Sequence, residues 1–435
     1  MKRIVIILFV ALLGLSWFSA FSEAVNNPKK LREHLEKAAE LEEKEIYVDA
    51  IEEYKSALEY DPDNVEIYIK MARAALNTGD DSEFVSICEE IAENYQDNTE
   101  ALDMLMDYYI ENEYEDRAAE YLQSFVEKYP ENENAQNWFV KFEGTYTELY
   151  SRYDELGEIV NDSIVVMRDG MYGIADAEGK EIIAPEYKEL YPFSADGFAL
   201  TKKEDGTWKY IDKDGQTRKV PDENYESMGM LSEERVTACK DGKYGYLDEE
   251  LEPVSEFEWD SLTAVAEDTG AGEKDGQWML VDKDGEVKND KRYAGIIADE
   301  NGFCTNQERV FVKEGNTYHI INTKGKEIGD LTFEDAKAFT SDGYAAVCNQ
   351  GKWGFADEDG KLVIDYMYED AQSFQNGYAA VCVDGLWGYI DEDGNQIIEP
   401  TFTEATHFSE IGTAAVKLDN QDGEEWSLIQ LILFR

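Results

Sequence analysis

Histidine is nearly absent from this chain of 435 residues, which contains only His34, His319 and His407. None of them has the spacing of a metal-binding motif or of a catalytic triad. We therefore interpret them as scattered structural side chains. Phosphate-binding loops and dinucleotide fingerprints are also missing, so the sequence indicates no cofactor and no metal.

Basic residues are scarce as well. The chain has 40 lysines and arginines against 96 aspartates and glutamates, a formal net charge of −56, and the acids are spread over its whole length. Such a surface repels nucleic acids and anionic lipids. We expect no nucleic-acid partner, and contact with a membrane only through the N-terminal segment.

The N-terminal segment combines a basic start, MKR, with an apolar run over residues 4–21 and small residues at Ser22 and Ala24. This order is typical of an export signal. The run is long for a cleaved signal and just long enough for a membrane span. Residues 1–24 are therefore predicted to be a signal peptide cut after Ala24 or a signal anchor. In both cases we expect an extracytoplasmic protein, either secreted or anchored by residues 4–21.

Cysteine occurs only five times, an odd number for an exported protein held by disulfides. Cys239, Cys348 and Cys382 each stand three residues before a glycine that recurs along the chain. One recurring position in a repeated strand indicates small apolar packing residues. We expect no disulfide framework.

What the sequence does contain is repetition, first with a period of 34 over residues 28–156. Apolar residues three and four apart give each segment one buried stripe, as in amphipathic helices. Pro62 and Pro130 end helices, and Gly79 separates two of them. The recurring positions are Tyr47, Ala50, Tyr54 and Ala57, then Phe84, Cys88 and Ile91, then Ala118, Leu122 and Phe125.

This pattern resembles tetratricopeptide repeats. The resemblance implies three helix pairs stacked as a short solenoid, and we expect a terminal aromatic-rich helix over Asn134–Leu156. Tetratricopeptide stacks usually hold a peptide or another protein on their concave face, so a protein partner is expected. A spacer or oligomerisation stack without a dedicated ligand is the alternative.

From residue 158 onward the repeats have the character of strands. A glycine recurs at intervals of 34 to 39 residues, and in most units an aromatic residue follows it two places later. In two units the aromatic residue, Tyr318 or Trp426, stands one place further on. The recurring glycines are Gly170, Gly206, Gly242, Gly276, Gly315, Gly351, Gly385 and Gly423.

The Trp-Gly pairs at 353–354 and 387–388, inside units that match along their full length, resemble the WG-repeat family. The resemblance extends over residues 158–435 as seven to eight units. Some units are degenerate, since Lys209 and Met279 replace the glycine after tryptophan. A uniform ligand for every repeat is therefore not expected.

Each unit is predicted to be a meander of short strands joined by tight polar turns. A propeller-like closure would remove the exposed sheet edges, so it is favoured over an open β-meander array. We expect the last strand, WSLIQLILF, to complete the final unit against the strand IVVM at 164–167. The predicted architecture is an α + β multidomain protein, with an α-helical tetratricopeptide-like solenoid followed by an all-β repeat domain.

The acidic turns of the repeats raise a calcium hypothesis. In the DEDG turns at Asp357–Gly360 and Asp391–Gly394 the glycine is the fourth residue and no distal glutamate follows. A calcium loop needs glycine at its sixth position and glutamate at its twelfth. We therefore interpret these segments as hairpin turns, in which aspartate caps the turn and glycine supplies a positive φ.

Carbohydrate chemistry is a further alternative. Two carboxylates could hydrolyse a glycoside, but the repeated acids stand on solvent turns, where strongly shifted pKa values are not expected. Aromatic rings could stack on sugars, although regularly placed ones such as Trp353 and Trp387 are expected in the core. A binding aromatic residue is expected where the pattern breaks, as at Trp259.

The sequence thus favours a non-enzymatic exported or cell-envelope protein that mediates protein–protein interactions through its helical and β repeats. The helices would offer a peptide-binding groove and the β domain an acidic recognition surface. A protein that binds carbohydrate or cell-wall glycan is the alternative, and a glycoside hydrolase is a more remote one. The sequence assigns no individual ligand-binding residue.

Overall fold

A computed structural model describes residues 27–149, 153–203, 205–221, 224–420 and 423–433. The chain divides into two compact units between Phe142 and Glu143. Among the described residues, no helix combines the length and the apolar character needed to cross a membrane. The predicted signal peptide or anchor at residues 1–24 lies outside the described residues.

The first unit contains seven helices among the residues described. They are α1 (residues 27–42), α2 (Tyr47–Leu58), α3 (Val65–Thr78), α4 (Asp81–Asn94), α5 (Glu100–Glu111), α6 (Glu115–Lys128) and α7 (Glu133–Phe142). The positions predicted from the 34-residue period are buried, with Tyr54, Phe84 and Phe125 only 1%, 0% and 4% exposed. Gly79 ends α3 in the left-handed conformation, at a φ of +75°. The predicted helical solenoid is confirmed.

The predicted terminal helix is wrong beyond Phe142. Helix α7 ends there, and residues Tyr146–Leu149 and Glu155–Val160 are strands. The chain turns at Gly144, whose φ is +80° and where a β-carbon would lie 1.9 Å from the carbonyl oxygen of Ile397. Because only glycine fits there, the aromatic spacing that continues past this point does not extend the helix.

Among the described residues, the second unit contains eight small antiparallel sheets. Strand β1 (Tyr146–Leu149) comes first in the chain but belongs to the eighth sheet. The first three sheets contain β2 (Glu155–Val160), β3 (Ser163–Arg168), β4 (Met171–Asp176) and β5 (Glu181–Tyr187); β6 (Glu189–Leu190), β7 (Ala199–Lys202), β8 (Trp208–Ile211) and β9 (Thr217–Lys219); and β10 (Ser227–Met228), β11 (Arg235–Lys240) and β12 (Lys243–Asp248). The next three contain β13 (Ser261–Leu262), β14 (Gly270–Lys274) and β15 (Gln277–Val281); β16 (Gly295–Ile296), β17 (Arg309–Glu314), β18 (Thr317–Asn322) and β19 (Glu327–Phe333); and β20 (Asp335–Ala336), β21 (Tyr344–Asn349), β22 (Lys352–Asp357) and β23 (Leu362–Tyr368). The last two contain β24 (Asp370–Ala371), β25 (Tyr378–Val383), β26 (Leu386–Asp391) and β27 (Gln396–Phe402); and β28 (Glu404–Ala405), β29 (Thr413–Asn420) and β30 (Gly423–Leu431).

Hydrophobic clusters between neighbouring sheets form the core of this unit. One cluster joins Phe355 of the sixth sheet to Ile390 of the seventh. Another joins Tyr389 of the seventh sheet to Phe408 and Ile429 of the eighth. Each sheet therefore packs face to face on the next one along the chain.

The ring of sheets closes through strand β1. This strand is the outer strand of the eighth sheet and pairs antiparallel with β30, so that Leu149 lies opposite Leu428. Ile164 of the first sheet and Ala415 of the eighth belong to one buried cluster. The second unit is thus an eight-bladed β-propeller, which confirms the predicted propeller-like closure. The expected partner of the last strand is wrong, because residues 164–167 belong to β3 and pair with β2 and β4.

The recurring glycines lie in or beside the turns between the second and third strands of the blades. In most blades the glycine is the second turn residue. Gly315 is instead the first turn residue, which shifts the glycine while Tyr318 keeps its place on the strand. In blade 8 the hairpin is longer, so Trp426 lies opposite Lys417. The displaced aromatic residues therefore reflect turn geometry.

The glycine that follows tryptophan makes room for the fourth strand of a blade. A β-carbon on Gly354 would lie 2.5 Å from the carbonyl oxygen of Ile364, and one on Gly388 would come equally close to β27. The pairing register shifts at this point, so the fourth strand crosses over the glycine. Where Lys209 stands instead, β9 has only three residues. Blade 4, with Met279, has no fourth strand among the described residues.

Candidate functional site

Loops from seven blades converge on one cavity of about 1090 Å³. Most of them connect the first and second strands of a blade. Because nearly every blade contributes, the cavity lies on the propeller axis, and we call it the axial cavity. Its lining comes mainly from the segments 158–162, 193–197, 230–233, 297–306, 336–341, 372–376 and 407–410.

Acidic side chains dominate the axial cavity. Its acids are Glu158, Asp162, Asp196, Glu233, Asp299, Glu300 and Glu410, and its bases are Lys213, Lys337 and His407. Partly exposed apolar side chains, among them Val160 and Ile297, form part of the remaining wall. The cavity therefore matches a ligand that carries positive charge beside an apolar portion.

The longest of the loops between first and second strands belongs to blade 5. This blade 5 loop joins β16 to β17 over residues 297–308, whereas the loops of blades 6 and 7 span residues 337–343 and 372–377. It contributes Asp299 and Glu300 to the axial cavity. The insertion thus supplies two of the cavity's carboxylates.

These two carboxylates have different tasks. Asp299 shapes the loop, since its Oδ1 accepts hydrogen bonds from the backbone nitrogens of Asn301 and Phe303 at 3.0 and 2.8 Å. Desolvation inside the cavity raises the pKa of Glu300, and the negative charge of Glu158 raises it further. Glu300 is therefore held among like charges, a repulsion that a cationic ligand would relieve.

Glu158 and His407 meet at the interface between blades 1 and 8. The backbone nitrogen of His407 donates to Glu158 Oε2 at 3.1 Å, and His407 Nδ1 lies 3.2 Å from the same oxygen. Burial alone would lower the pKa of His407, but Glu158 and the nearby Glu300 more than offset this effect, so the pKa is raised. A histidine interpreted from sequence as a scattered structural residue thus lies in the wall of the axial cavity.

A smaller cavity of about 510 Å³ lies in the helical unit, between the α4–α5 and α6–α7 connections. Its lining is polar, and amide groups bridge successive helix pairs there. Asn132 donates to the carbonyl oxygen of Gln96 at 3.3 Å, and Asn134 donates to that of Thr99 at 3.4 Å. These bridges connect successive helix pairs, and the predicted peptide-binding groove stays a prediction.

The acidic turns of the β repeats have a structural role. Asp357 Oδ1 accepts hydrogen bonds from the backbone nitrogens of Asp359 and Lys361 at 3.0 and 2.8 Å, and Gly360 adopts a φ of +74°. The same pair of hydrogen bonds forms at Asp212, Asp248 and Asp282. In blade 3, Leu251 occupies the glycine position with a φ of +60°. Within the described ranges, no group of three or more His, Cys, Asp or Glu side chains could hold a metal ion.

The tryptophans serve mainly to pack the blades. Trp353 and Trp387 lie half-buried against core clusters, as expected. The hypothesis that Trp259 binds a ligand is wrong, because this side chain is only 2% exposed and belongs to the core between blades 3 and 4. A β-carbon on Gly272 would lie 2.4 Å from its ring. Its departure from the repeat pattern reflects this local packing.

Sequence reasoning missed the axial cavity, because its lining comes from loops far apart in the chain. One signal did exist. The interval between Gly276 and Gly315 is 39 residues, the longest between recurring glycines, and the blade 5 loop lies within it. The spacing could locate the insertion but not the cavity it enters.

Comparisons with known families agree with the repeats seen in the structure. The WG containing repeat family matches residues 172–208, 320–353, 353–387 and 387–421. A tetratricopeptide repeat family matches residues 43–107. No curated protein matches the chain at a significant level.

Several solved structures are similar to part of the chain. BamB from Moraxella catarrhalis is 16% identical, over 66% of this chain and 100% of its own, with a TM-score of 0.43. The Dos1 propeller is 11% identical, over 67% of this chain and 96% of its own, with a TM-score of 0.40. The β-propeller domain of Cps50 (Swd1) from Myceliophteria thermophila is 12% identical, over 63% and 99%, with a TM-score of 0.34.

Proposed function

We propose that this chain is a non-enzymatic protein that binds other proteins outside the cytoplasmic membrane. It carries WG repeats and an N-terminal tetratricopeptide repeat. Tandem repeats build extended surfaces that suit protein binding. A fold does not define a function by itself, however. The proposal therefore depends on the chemistry of the axial cavity.

The acidic, partly apolar lining of the axial cavity carries the proposal. Seven carboxylates against two lysines and one histidine favour a partner segment with lysine or arginine side chains. Val160 and Ile297, which are partly exposed, offer apolar contacts to the rest of such a segment. The tetratricopeptide region adds a second surface, for a peptide of the same or another partner.

The proposed location outside the membrane depends on the order of basic, apolar and small residues in the N-terminal segment. The net charge of −56 fits this setting, since it keeps the protein apart from anionic lipid surfaces. Both features are compatible with a secreted protein and with one anchored by residues 4–21.

A protein partner is favoured over a glycan. Sugar rings stack on aromatic faces that are open to solvent. In the described part of the propeller, no aromatic side chain belongs to the largely exposed large hydrophobic residues. Trp353 and Trp387 are half-buried against the core clusters between neighbouring blades.

To test the proposal, envelope proteins are captured on the immobilised mature protein. Their binding to the wild type is compared with their binding to two charge-reversal variants. Glu300→Lys reverses a charge inside the axial cavity, and Glu249→Lys reverses an exposed charge in a blade 3 turn. We expect cross-linking mass spectrometry to place a basic segment of one partner at the cavity. Affinity for that partner should fall about tenfold in Glu300→Lys and change little in Glu249→Lys.

Three outcomes would contradict the proposal. If both variants lose the same affinity for the partner, the partner recognises the acidic surface in general and not the axial cavity. Retention of glycan instead of protein would favour the carbohydrate alternative. Turnover of an isolated wall glycan by the purified protein would refute the non-enzymatic assignment.

A further inference from the structure

Side chains of the first-to-second-strand loops link most neighbouring blades around the axial cavity. Each of these links joins one blade to the next blade in the chain. Asn161 and Asn376 donate to the carbonyl oxygens of Phe193 and Phe408 at 2.8 and 2.7 Å, and Gln307 donates to that of Ser341. Glu233 accepts from the backbone nitrogens of Glu267 and Asp268, Glu267 accepts from that of Glu308, and Asp342 accepts from that of Gly377.

Five of the six residues whose side chains make these links share an unusual backbone conformation. Asn161, Glu233, Glu267, Gln307 and Asn376 all have φ values between 48° and 55°. This left-handed conformation costs roughly 1–2 kcal/mol for a residue other than glycine. Because five blades carry this conformational free-energy cost, the links are a repeated structural feature of the ring.

The interface between blades 8 and 1 carries a link of different chemistry. There His407 donates to Glu158, and each of the two side chains is only 19% exposed. The other links pair an amide or a carboxylate with a backbone group, whereas this one joins a carboxylate to a base that titrates near neutral pH. It lies at the interface that closes the ring.

The surroundings of His407 favour its charged form. Glu158 from blade 1 and Glu300 from the blade 5 loop face it with negative charge, and the carbonyl of Ser373 from blade 7 also favours the protonated ring. Asp299 and Glu300 in turn interact with its charge. Together these groups raise the pKa of His407 even though burial opposes the shift.

We propose that His407 and Glu158 form a pH-dependent clasp that holds blades 8 and 1 together and loosens the closing interface at alkaline pH. An unperturbed histidine titrates near pH 6.5. Since the pKa of His407 is raised by folding, the stabilisation is fully present below about pH 6.5 and is lost as the pH rises through the folded-state pKa. This clasp goes beyond the proposed function and does not require the cavity to hold a partner.

Amide hydrogen exchange of the full chain between pH 5.5 and 8.5 tests the clasp, after correction for base-catalysed intrinsic exchange. Across this pH range we expect the equilibrium constant for local opening of β2 and of residues 406–412 to increase. The increase should be roughly tenfold for each pH unit by which folding raises the pKa of His407. This rise should disappear in His407→Gln. The matched control is Asn376→Ala, which removes an uncharged link and should loosen the interface of blades 7 and 8 equally at all pH values.

If His407→Gln does not fold, Glu158→Gln provides a second test of the clasp. Titration of His407 by nuclear magnetic resonance should give a pKa above 6.5 in the wild type and a lower one in Glu158→Gln. The clasp is refuted if wild type and His407→Gln open with the same pH dependence. It is refuted as well if His407 titrates at or below pH 6.5, or if Glu158→Gln leaves its titration unchanged.

Discussion

Glycine has two separate uses in the propeller, and they differ in what a side chain would meet. At Gly351 the φ of +70° favours glycine although nothing lies within 4 Å of a β-carbon placed there. At Gly354 the conformation is ordinary, but the fourth strand passes directly above it. The glycine of the Trp-Gly pair is therefore selected by close packing of two backbones.

Replacement of this packing glycine should be costly. In Gly354→Ala the new β-carbon would lie 2.5 Å from the carbonyl oxygen of Ile364, which forces β23 away from β22. We expect the free energy of unfolding to fall by about 2–3 kcal/mol. Urea unfolding followed by tryptophan fluorescence measures this loss.

Gly157→Ala is the matched control, because a β-carbon on Gly157 would be no closer than 3.4 Å to the carbonyl oxygen of Val165. We expect a change below about 1 kcal/mol there. If the two substitutions cost the same, backbone crowding does not explain the glycine of the Trp-Gly pair.

At the scale of elements, hairpins were predictable because their signals are local. The glycine, the aromatic residue and the aspartate lie within one hairpin, so their spacing alone indicated β21–β22 and β25–β26. The first strands of the blades were missed, since β20 and β24 have two residues each and no detectable periodicity. The lining of the axial cavity could not be predicted for a related reason, because Glu158, Glu300 and His407 meet only when the ring closes.

The outer strands are protected against pairing with other chains. Pro185 in β5 and Pro400 in β27 each remove one backbone donor from an outer strand. The pairing registers of both strands with their neighbours are also irregular. Such interruptions let an antiparallel sheet end at the fourth strand without recruiting a fifth.

Strand β1 should contribute strongly to the stability of the propeller for its short length. Tyr146 is half-buried and packs against Phe402, with ring centroids 5.9 Å apart, in the cluster shared by blades 7 and 8. We expect Tyr146→Ala to lower the free energy of unfolding by about 2 kcal/mol, because it leaves a gap in this cluster. Differential scanning calorimetry of the full chain measures the effect.

The neighbouring Thr147 supplies the comparison, since its side chain is exposed. Thr147→Ala should change stability by less than about 0.5 kcal/mol. An equally small effect of Tyr146→Ala would mean that β1 adds little to the closure of the ring.

At the scale of the whole molecule, negative charge opposes folding. Even if all 40 basic residues were paired, 56 acidic residues would remain without an opposite charge. Ion pairs between helices, such as Lys55 with Glu83 at 3.0 Å, are exposed and contribute little. The compact protein therefore gathers like charges that the unfolded chain would separate.

Salt should consequently stabilise this protein. Raising sodium chloride from 0.02 to 0.5 M shortens the screening length several-fold and weakens repulsion more than it weakens the few exposed pairs. We expect the midpoint of thermal unfolding to rise by several degrees, as followed by circular dichroism. A neutral osmolyte at equal osmolality should not reproduce the rise, and a fall with salt would contradict the dominance of repulsion.

The pairing of β1 with β30 also sets an order of events in time. Because synthesis proceeds from the N-terminus, β1 is made before any blade, yet its partner is among the last strands to be made. Blades 1 to 7 can stack as they are completed, while the eighth cannot finish until both ends of the ring meet. A nascent chain thus remains an open arc, and its closed shape first exists after nearly the whole propeller has been synthesised.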